Sequence, residues 1–160
     1  MGAKISRESL PPGVWDEDIN RYPNGEYPFE HCGYQCKLVR KLHSWTWCGY
    51  VTLPETHPDF STSYEDLGVH FNVHGGLTFG EDGTFGFDTS HLGDIIPSQF
   101  VNIQRVIVEA CEAGEAIKRV MNKDDSRHYW TYEEVEKELK SLAEQFKKRE
   151  TLPKPTPANC

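Results

Sequence analysis

The chain has 160 residues, a formal net charge of −8 and a pI of about 5.3. This length is enough for a buried core without metal or disulfide support, and the acidic charge opposes binding to nucleic acid polymers and to anionic membrane surfaces. The sequence contains no apolar run long enough to cross a membrane and no signal peptide at its N-terminus. We therefore expect a cytoplasmic protein whose partners are small, soluble molecules.

Residues 1–30 are rich in proline, glycine and asparagine, which predicts an irregular N-terminal arm. The following residues, 31–149, form the predicted single domain. Residues 150–160 contain three prolines. Because proline cannot continue a helix, we expect this segment to be a flexible tail.

Five cysteines are present, an odd number in a chain without an export signal, which predicts reduced thiols. The Cys-x₃-Cys pair beside His31 stands alone, whereas a structural zinc site needs four ligands. The sequence therefore predicts no zinc site built on these cysteines, and it assigns no cofactor. The cysteines are Cys32, Cys36, Cys48, Cys111 and Cys160.

Two runs rich in β-branched and aromatic residues, 36–42 and 45–53, predict strands that form a hairpin. Residues 54–68 are polar and contain prolines, which is typical of a surface loop. Within the second run, Trp47 and Tyr50 have two interpretations. Aromatic residues in strands usually pack in the core, and they can also form a stacking wall for a base or a sugar.

Apolar and polar residues alternate in VHFNVH, residues 69–74, which predicts a strand. One face of this strand is apolar, and the other carries His70 and His74. The Asp82-Gly83 pair then provides turn chemistry, so we expect a second hairpin whose return strand is 84–88.

Apolar residues recur at helical spacing in two later segments. The first predicted helix spans about 99–121. The second begins at a capping box formed by Thr131 and Glu134, and its apolar stripe is expected to pack on the sheet face that contains 69–73. The sequence thus predicts an α+β fold, in which an antiparallel sheet has a C-terminal helix packed on one face, together with a second long helix.

The candidate chemistry lies in residues 70–94. Asp88, His91 and Asp94 are spaced by three, so one tight turn after the strand would direct all of them toward His74, and strand alternation adds His70. Such a cluster could hold a divalent metal, perform acid–base chemistry or bind the polar groups of a ligand. It could equally be a structural network in which the carboxylates cap turns.

Three motifs of this chain resemble those of a family of small proteins from tailed phages and bacteria, over about residues 45–149. They are CGYV at 48–51, VHGGLT at 73–78 and GFDTSHLGD at 86–94. The family pattern of the third motif has Cys-Ala where this chain has Thr89 and Ser90, which argues against a thiol nucleophile there. The resemblance implies no activity, because none is established for the family. A phage-encoded chain would act in the host cytosol.

The resemblance implies that His57 is a signature position of the family. It implies the same for most of the candidate residues named above. The predicted ligand-binding residues are Trp47, Tyr50, His57, His70, His74, Gly75, Gly76, Thr78, Asp88, His91 and Asp94.

The first functional hypothesis is a phage-type protein that binds a small ligand and sequesters a nucleotide signal of bacterial immunity, such as a cyclic nucleotide or an ADP-ribose derivative. The second is a hydrolase of a nucleotide or similar small substrate that uses His74, His91 and Asp94, with or without a metal. The third is a structural or interaction protein whose working surface is the helix at 99–121. Apolar residues on more than one side of that helix predict a homodimer.

Overall fold

The computed structural model describes residues 3–101 and 127–152. The chain divides into two compact units. Unit 1 consists of the described parts of Met1–Gly25, Arg40–Trp47 and Thr89–Tyr132, and unit 2 consists of those of Glu26–Val39, Cys48–Asp88 and Glu133–Cys160. The sequence predicted one domain that begins at residue 31. In the structure the preceding arm contributes residues to both units.

A five-stranded sheet, mainly in unit 2, has the strand order β1-β2-β3-β5-β4. The pairs β1/β2, β3/β5 and β4/β5 are antiparallel. Because β1 comes from residues predicted to be irregular, that part of the arm prediction is wrong. The strands are β1 Glu26–His31, β2 Tyr34–Lys41, β3 Thr46–Thr52, β4 Phe79–Glu81 and β5 Thr84–Asp88.

Two tight turns close hairpins in this sheet. The β4–β5 turn has positive φ at both Asp82 (49°) and Gly83 (78°). The β1–β2 turn has the same property at Cys32 (56°) and Gly33 (82°). Turns with two positive φ angles match the twist of the flanking strands, which is why Asp-Gly favours them. The predicted Asp-Gly hairpin is therefore confirmed.

The C-terminal helix, α3 (Tyr132–Lys148), packs on the sheet. The Phe146 ring lies 5.3 Å from the Phe85 ring of β5. A Cβ added to Gly49 of β3 would lie 3.4 Å from the Leu139 Cβ. The α+β prediction is confirmed, including the helix on one sheet face. The fully buried side chains of the helix are Val135, Leu139, Leu142, Ala143 and Phe146.

The predicted strand at 69–74 is wrong. Gly68–His70 is a 3₁₀ turn, Val69 is 83% exposed, and no strand follows before β4. The partner of β5 is β4 instead. His70 and His74 therefore do not share a strand face.

Side chains of α3 form hydrogen bonds with the backbone of residues 69–74. In a sheet, a neighbouring strand would form these bonds. Asn72 donates its N–H to Gln145 Oε1 (2.8 Å), and Gln145 Nε2 donates to the Asn72 carbonyl (2.8 Å). The His74 N–H donates to Glu138 Oε1 at 2.7 Å. Backbone groups need such partners, and here helix side chains provide them.

The core of unit 1 includes α1 (Asp16–Arg21), so the arm is part of a packed unit. The Trp15 side chain is completely buried, and its ring centroid lies 5.7 Å from that of Phe100. The buried members of this core are Leu10, Trp15, Ile19, Trp45, Ile95, Phe100 and Tyr129.

The predicted helix at 99–121 lies almost wholly outside the described residues. Its described beginning contains a 3₁₀ turn, Pro97–Phe100. A short helix not predicted from the sequence, α2, spans Tyr64–Leu67. Among the described residues, no helix is both long and apolar enough to cross a membrane.

Candidate functional site

The turn His91–Asp94 in unit 1 is closed at both ends by hydrogen bonds. The Asp94 N–H donates to the His91 carbonyl (2.9 Å), and the His91 N–H donates to Asp94 Oδ2 (2.9 Å). Gly93, the third residue of the turn, has a φ of 97°, a conformation that favours glycine. The spacing His-x-Gly-Asp therefore encodes a tight, hydrogen-bonded turn.

Within this turn, a buried carboxylate lies beside a partly exposed imidazole. His91 Nδ1 is 3.5 Å from Asp94 Oδ2, and the two side chains are 30% and 3% exposed, respectively. The carboxylate would form an ion pair with the imidazole when the ring is protonated. The pair can bind a polar ligand, support proton transfer, or supply one nitrogen and one oxygen ligand to a divalent metal.

Hydroxyl groups extend from the interior of unit 1 to the residue before His91. Ser44 Oγ and Thr46 Oγ1 are 2.7 Å apart, and Thr46 Oγ1 is 2.7 Å from Ser90 Oγ. Ser44 and Thr46 are buried, whereas Ser90 is exposed. Thr89 Oγ1 donates to the Trp47 carbonyl at 2.8 Å. Thr89 and Ser90 therefore hold the segment that leads into the turn.

His128 lies beside the same turn. It was not predicted from the sequence as a residue of the site. Its N–H donates to the Gly93 carbonyl (3.0 Å), and its carbonyl accepts from the Ile95 N–H (2.7 Å). These bonds form an isolated parallel bridge between His128 and Asp94. The two residues are 34 positions apart, and no local motif predicts the pairing.

In unit 2, His74 and the Gly-Gly pair form a second turn. The Gly76 N–H donates to the Val73 carbonyl at 2.9 Å, and Gly75 and Gly76 have φ angles of 69° and 78°. Glycine adopts positive φ angles without strain, which is why this pair was expected to form a turn. The His74 residue is half-buried, and its backbone is held by Glu138.

The other predicted residues of unit 2 have varied environments. His70 and Thr78 are exposed, and Thr78 extends the β4–β5 pairing through its N–H bond to Gly86 (2.9 Å). Asp88 is half-buried at the end of β5, where it pairs with Cys48. That His70, His74 and Asp88 share one neighbourhood with His91 and Asp94 stays a prediction.

Two residues predicted to contact a ligand are wholly buried. The Trp47 side chain is 0% exposed and donates Nε1–H to Asp18 Oδ2 at 2.8 Å. The His57 side chain is also 0% exposed. Its Nδ1 accepts from the Asp59 N–H (3.0 Å), so its Nε2 donates to the Phe146 carbonyl (2.8 Å). Both side chains hydrogen-bond within the interior, and these bonds account for them without a ligand.

Tyr50 remains partly exposed in unit 2. Its ring is perpendicular to that of Phe79, with the centroids 5.5 Å apart. A Cβ added to Gly86 would lie 2.6 Å from Tyr50 Cδ1, so the missing side chain at Gly86 makes room for the ring. Cross-strand packing accounts for this tyrosine.

The chain matches no protein-family model, no curated protein and no solved structure.

Proposed function

We propose that the chain binds a small polar ligand at the His91–Asp94 turn. The observation that carries the proposal is the buried Asp94 carboxylate 3.5 Å from the partly exposed His91 imidazole. The two hydrogen bonds between His91 and Asp94 hold the backbone of the turn before a ligand arrives, which lowers the entropy lost on binding. The proposed site includes Ser90, an exposed residue next to His91 whose hydroxyl lies 2.7 Å from Thr46 Oγ1.

A nucleotide signal of bacterial immunity is the ligand class to test first. The support is the resemblance of CGYV, VHGGLT and GFDTSHLGD to motifs of phage proteins, because phages gain from removing such signals. A cyclic nucleotide and an ADP-ribose derivative both carry the hydroxyl and phosphate groups that imidazole and hydroxyl side chains bind.

The test incubates the purified full-length chain with cyclic dinucleotides, cyclic oligonucleotides and isomers of cyclic ADP-ribose, and measures binding by calorimetry. Heating the complex should then release the ligand intact. His91→Ala and Asp94→Ala should each weaken binding at least about tenfold. The melting temperature of His91→Ala should stay within a few degrees of wild type, whereas that of Asp94→Ala should fall further, because this variant loses the hydrogen bond that closes the turn.

His43→Ala is the matched control, because His43 is an exposed histidine of unit 1 outside the turn. It should bind as the wild type does. Absence of binding to every compound in the panel would refute the proposal. If, in addition, both turn variants unfold, the turn is a structural hydrogen-bond network.

A hydrolase is the second candidate, because a carboxylate-oriented imidazole is also the arrangement of a general base. In that case the heated sample contains cleaved product. Loss of turnover on adding a chelator, with recovery on adding Zn²⁺, would indicate a metal-dependent reaction. Quantitative recovery of intact ligand excludes this candidate for the compounds tested.

A further inference from the structure

Two aromatic side chains lie on the segment that pairs with the proposed site. His128 is bonded through its backbone to Gly93 and Ile95, on either side of Asp94. Trp130 follows two residues later, and Tyr129 between them is buried. Since alternate residues of an extended segment face opposite sides, His128 and Trp130 share the side away from the core of unit 1.

The two rings form a surface pair. Their centroids are 5.7 Å apart and their planes are nearly perpendicular, at 84°. His128 is exposed and Trp130 is half-buried. The three other tryptophans, Trp15, Trp45 and Trp47, are buried. Trp130 therefore differs from them in offering an aromatic surface to a ligand.

An exposed apolar side chain lies at the apex of the turn itself. Leu92 is 106% exposed, between His91 and Gly93. The hydrogen bond between His91 and Asp94 closes the turn behind it, so Leu92 projects outward. The surroundings of the polar His91–Asp94 pair thus include apolar and aromatic surface.

We propose that the ligand of the His91–Asp94 turn carries a planar aromatic ring, such as a nucleobase, and that this ring stacks on Trp130. The inference rests on the proposed function and narrows its ligand class. The sequence offered Trp47 as a possible stacking residue, and the inference assigns stacking to Trp130 instead. Polar groups of the ligand contact His91 and Ser90, and Leu92 and His128 border the ring.

The experiment compares a cyclic dinucleotide, which carries planar bases, with ribose 5-phosphate, which has none. Binding to wild type is measured by calorimetry and by intrinsic tryptophan fluorescence. A stacked base should change the fluorescence of Trp130. Trp130→Ala should weaken binding of the cyclic dinucleotide by about 5- to 100-fold, the usual range for removal of a stacking aromatic side chain.

Trp130→Phe is the conservative variant, since it keeps a ring at this position. It should bind the cyclic dinucleotide within about threefold of wild type, because phenylalanine also stacks on bases. The fluorescence change should nevertheless disappear, because the reporting indole is absent. Thermal unfolding of both variants shows whether either substitution disturbs the fold.

The failures of the two proposals are distinguishable. Binding that depends on His91 and is unchanged in Trp130→Ala overturns the stacking inference and leaves the proposed function intact. Equal affinity for ribose 5-phosphate and the cyclic dinucleotide would also overturn the stacking inference and leave the proposed function intact. If wild type binds neither probe nor any other compound of the panel, the proposed function and this inference both fail.

Discussion

Asp18 is a buried carboxylate of α1 that accepts hydrogen bonds from distant parts of unit 1. The donors are Arg40 Nη2 (3.0 Å), Trp47 Nε1 (2.8 Å), the Tyr129 hydroxyl (2.6 Å) and the Tyr132 N–H (2.8 Å). The Asp18 and Arg40 side chains are 5% and 2% exposed. Removing one partner from a buried network of this kind is strongly destabilising.

We expect Asp18→Ala to lower the free energy of unfolding by about 3–5 kcal/mol, because Arg40 would be left buried without its carboxylate. Urea denaturation followed by circular dichroism measures this change. The matched control is Asp16→Ala on the same helix, which removes a one-third-exposed ion pair with Arg7 and a bond from the Gly13 N–H. It should cost about 1 kcal/mol. A loss of unfolding free energy in Asp18→Ala of only about 1 kcal/mol, as in the control, would contradict this prediction.

The buried tyrosines predict a loss of stability in alkaline solution. Burial, followed by the hydrogen bond to Glu150, raises the pKa of Tyr34 above its ordinary value of 10.0, and burial also raises the pKa of Tyr129. Above about pH 10 the unfolded chain loses these protons while the folded chain keeps them. The contribution of these tyrosines to the free energy of unfolding should therefore be fully present below that pH. It should decrease as the pH rises further.

Urea midpoints measured from about pH 8 to pH 11 test this expectation. Tyr34→Phe removes one titrating group, so its stability should fall less steeply with pH than that of wild type. Tyr27→Phe is the control, because Tyr27 lies on β1 and is only half-buried. A wild-type midpoint that does not change over this range would contradict the prediction.

At the scale of the element, α3 contributes a continuous apolar stripe to the core of unit 2. Leu139 is completely buried, and its Cβ faces Gly49 of β3. Leu139→Ala should cost about 2–5 kcal/mol of unfolding free energy, because it leaves a cavity between helix and sheet. Lys137→Ala, at an exposed position of the same helix, should change stability by less than about 0.5 kcal/mol. Thermal or urea denaturation distinguishes these outcomes.

The polar side of α3 positions the segment before the Gly-Gly pair. Gln145→Ala removes both hydrogen bonds to Asn72, one in each direction. We expect the Asn72 amide to exchange its hydrogen faster in this variant, because its acceptor is lost. Glu144→Ala, which changes the neighbouring exposed residue, should leave that exchange rate unchanged. Hydrogen exchange measured by NMR gives both rates, and unchanged protection in Gln145→Ala would show that these two bonds are not needed.

At the scale of the whole molecule, the sequence predicts a homodimer through the helix at 99–121. Sedimentation at micromolar concentration should then give twice the 18.3 kDa mass of the chain. Ile107→Asp, which introduces a charge into an apolar run, should shift the mass to that of one chain. A wild-type monomer would remove the prediction. The net charge of −8 opposes self-association, so added salt should strengthen it.

The sequence by itself determined the features that depend on neighbouring residues. Local periodicity predicted α3 and its buried stripe, and the β-branched runs predicted β2 and β3. Asp82-Gly83 predicted its hairpin because positive φ is a property of those residue types. The His91–Asp94 spacing likewise predicted a turn that directs polar side chains together. Each of these features involves contacts within a few residues or a repeated pattern.

The tertiary structure decided which polar groups would meet across long separations. Residues 69–74 alternate like a strand, yet their backbone bonds to Gln145 and Glu138, more than 60 positions away. Trp47 became a core residue because Asp18 provides its acceptor. His128 reached the candidate site through a backbone bridge that no motif encodes. A residue pattern specifies which face is apolar, whereas the partner of a polar group depends on where the rest of the chain folds.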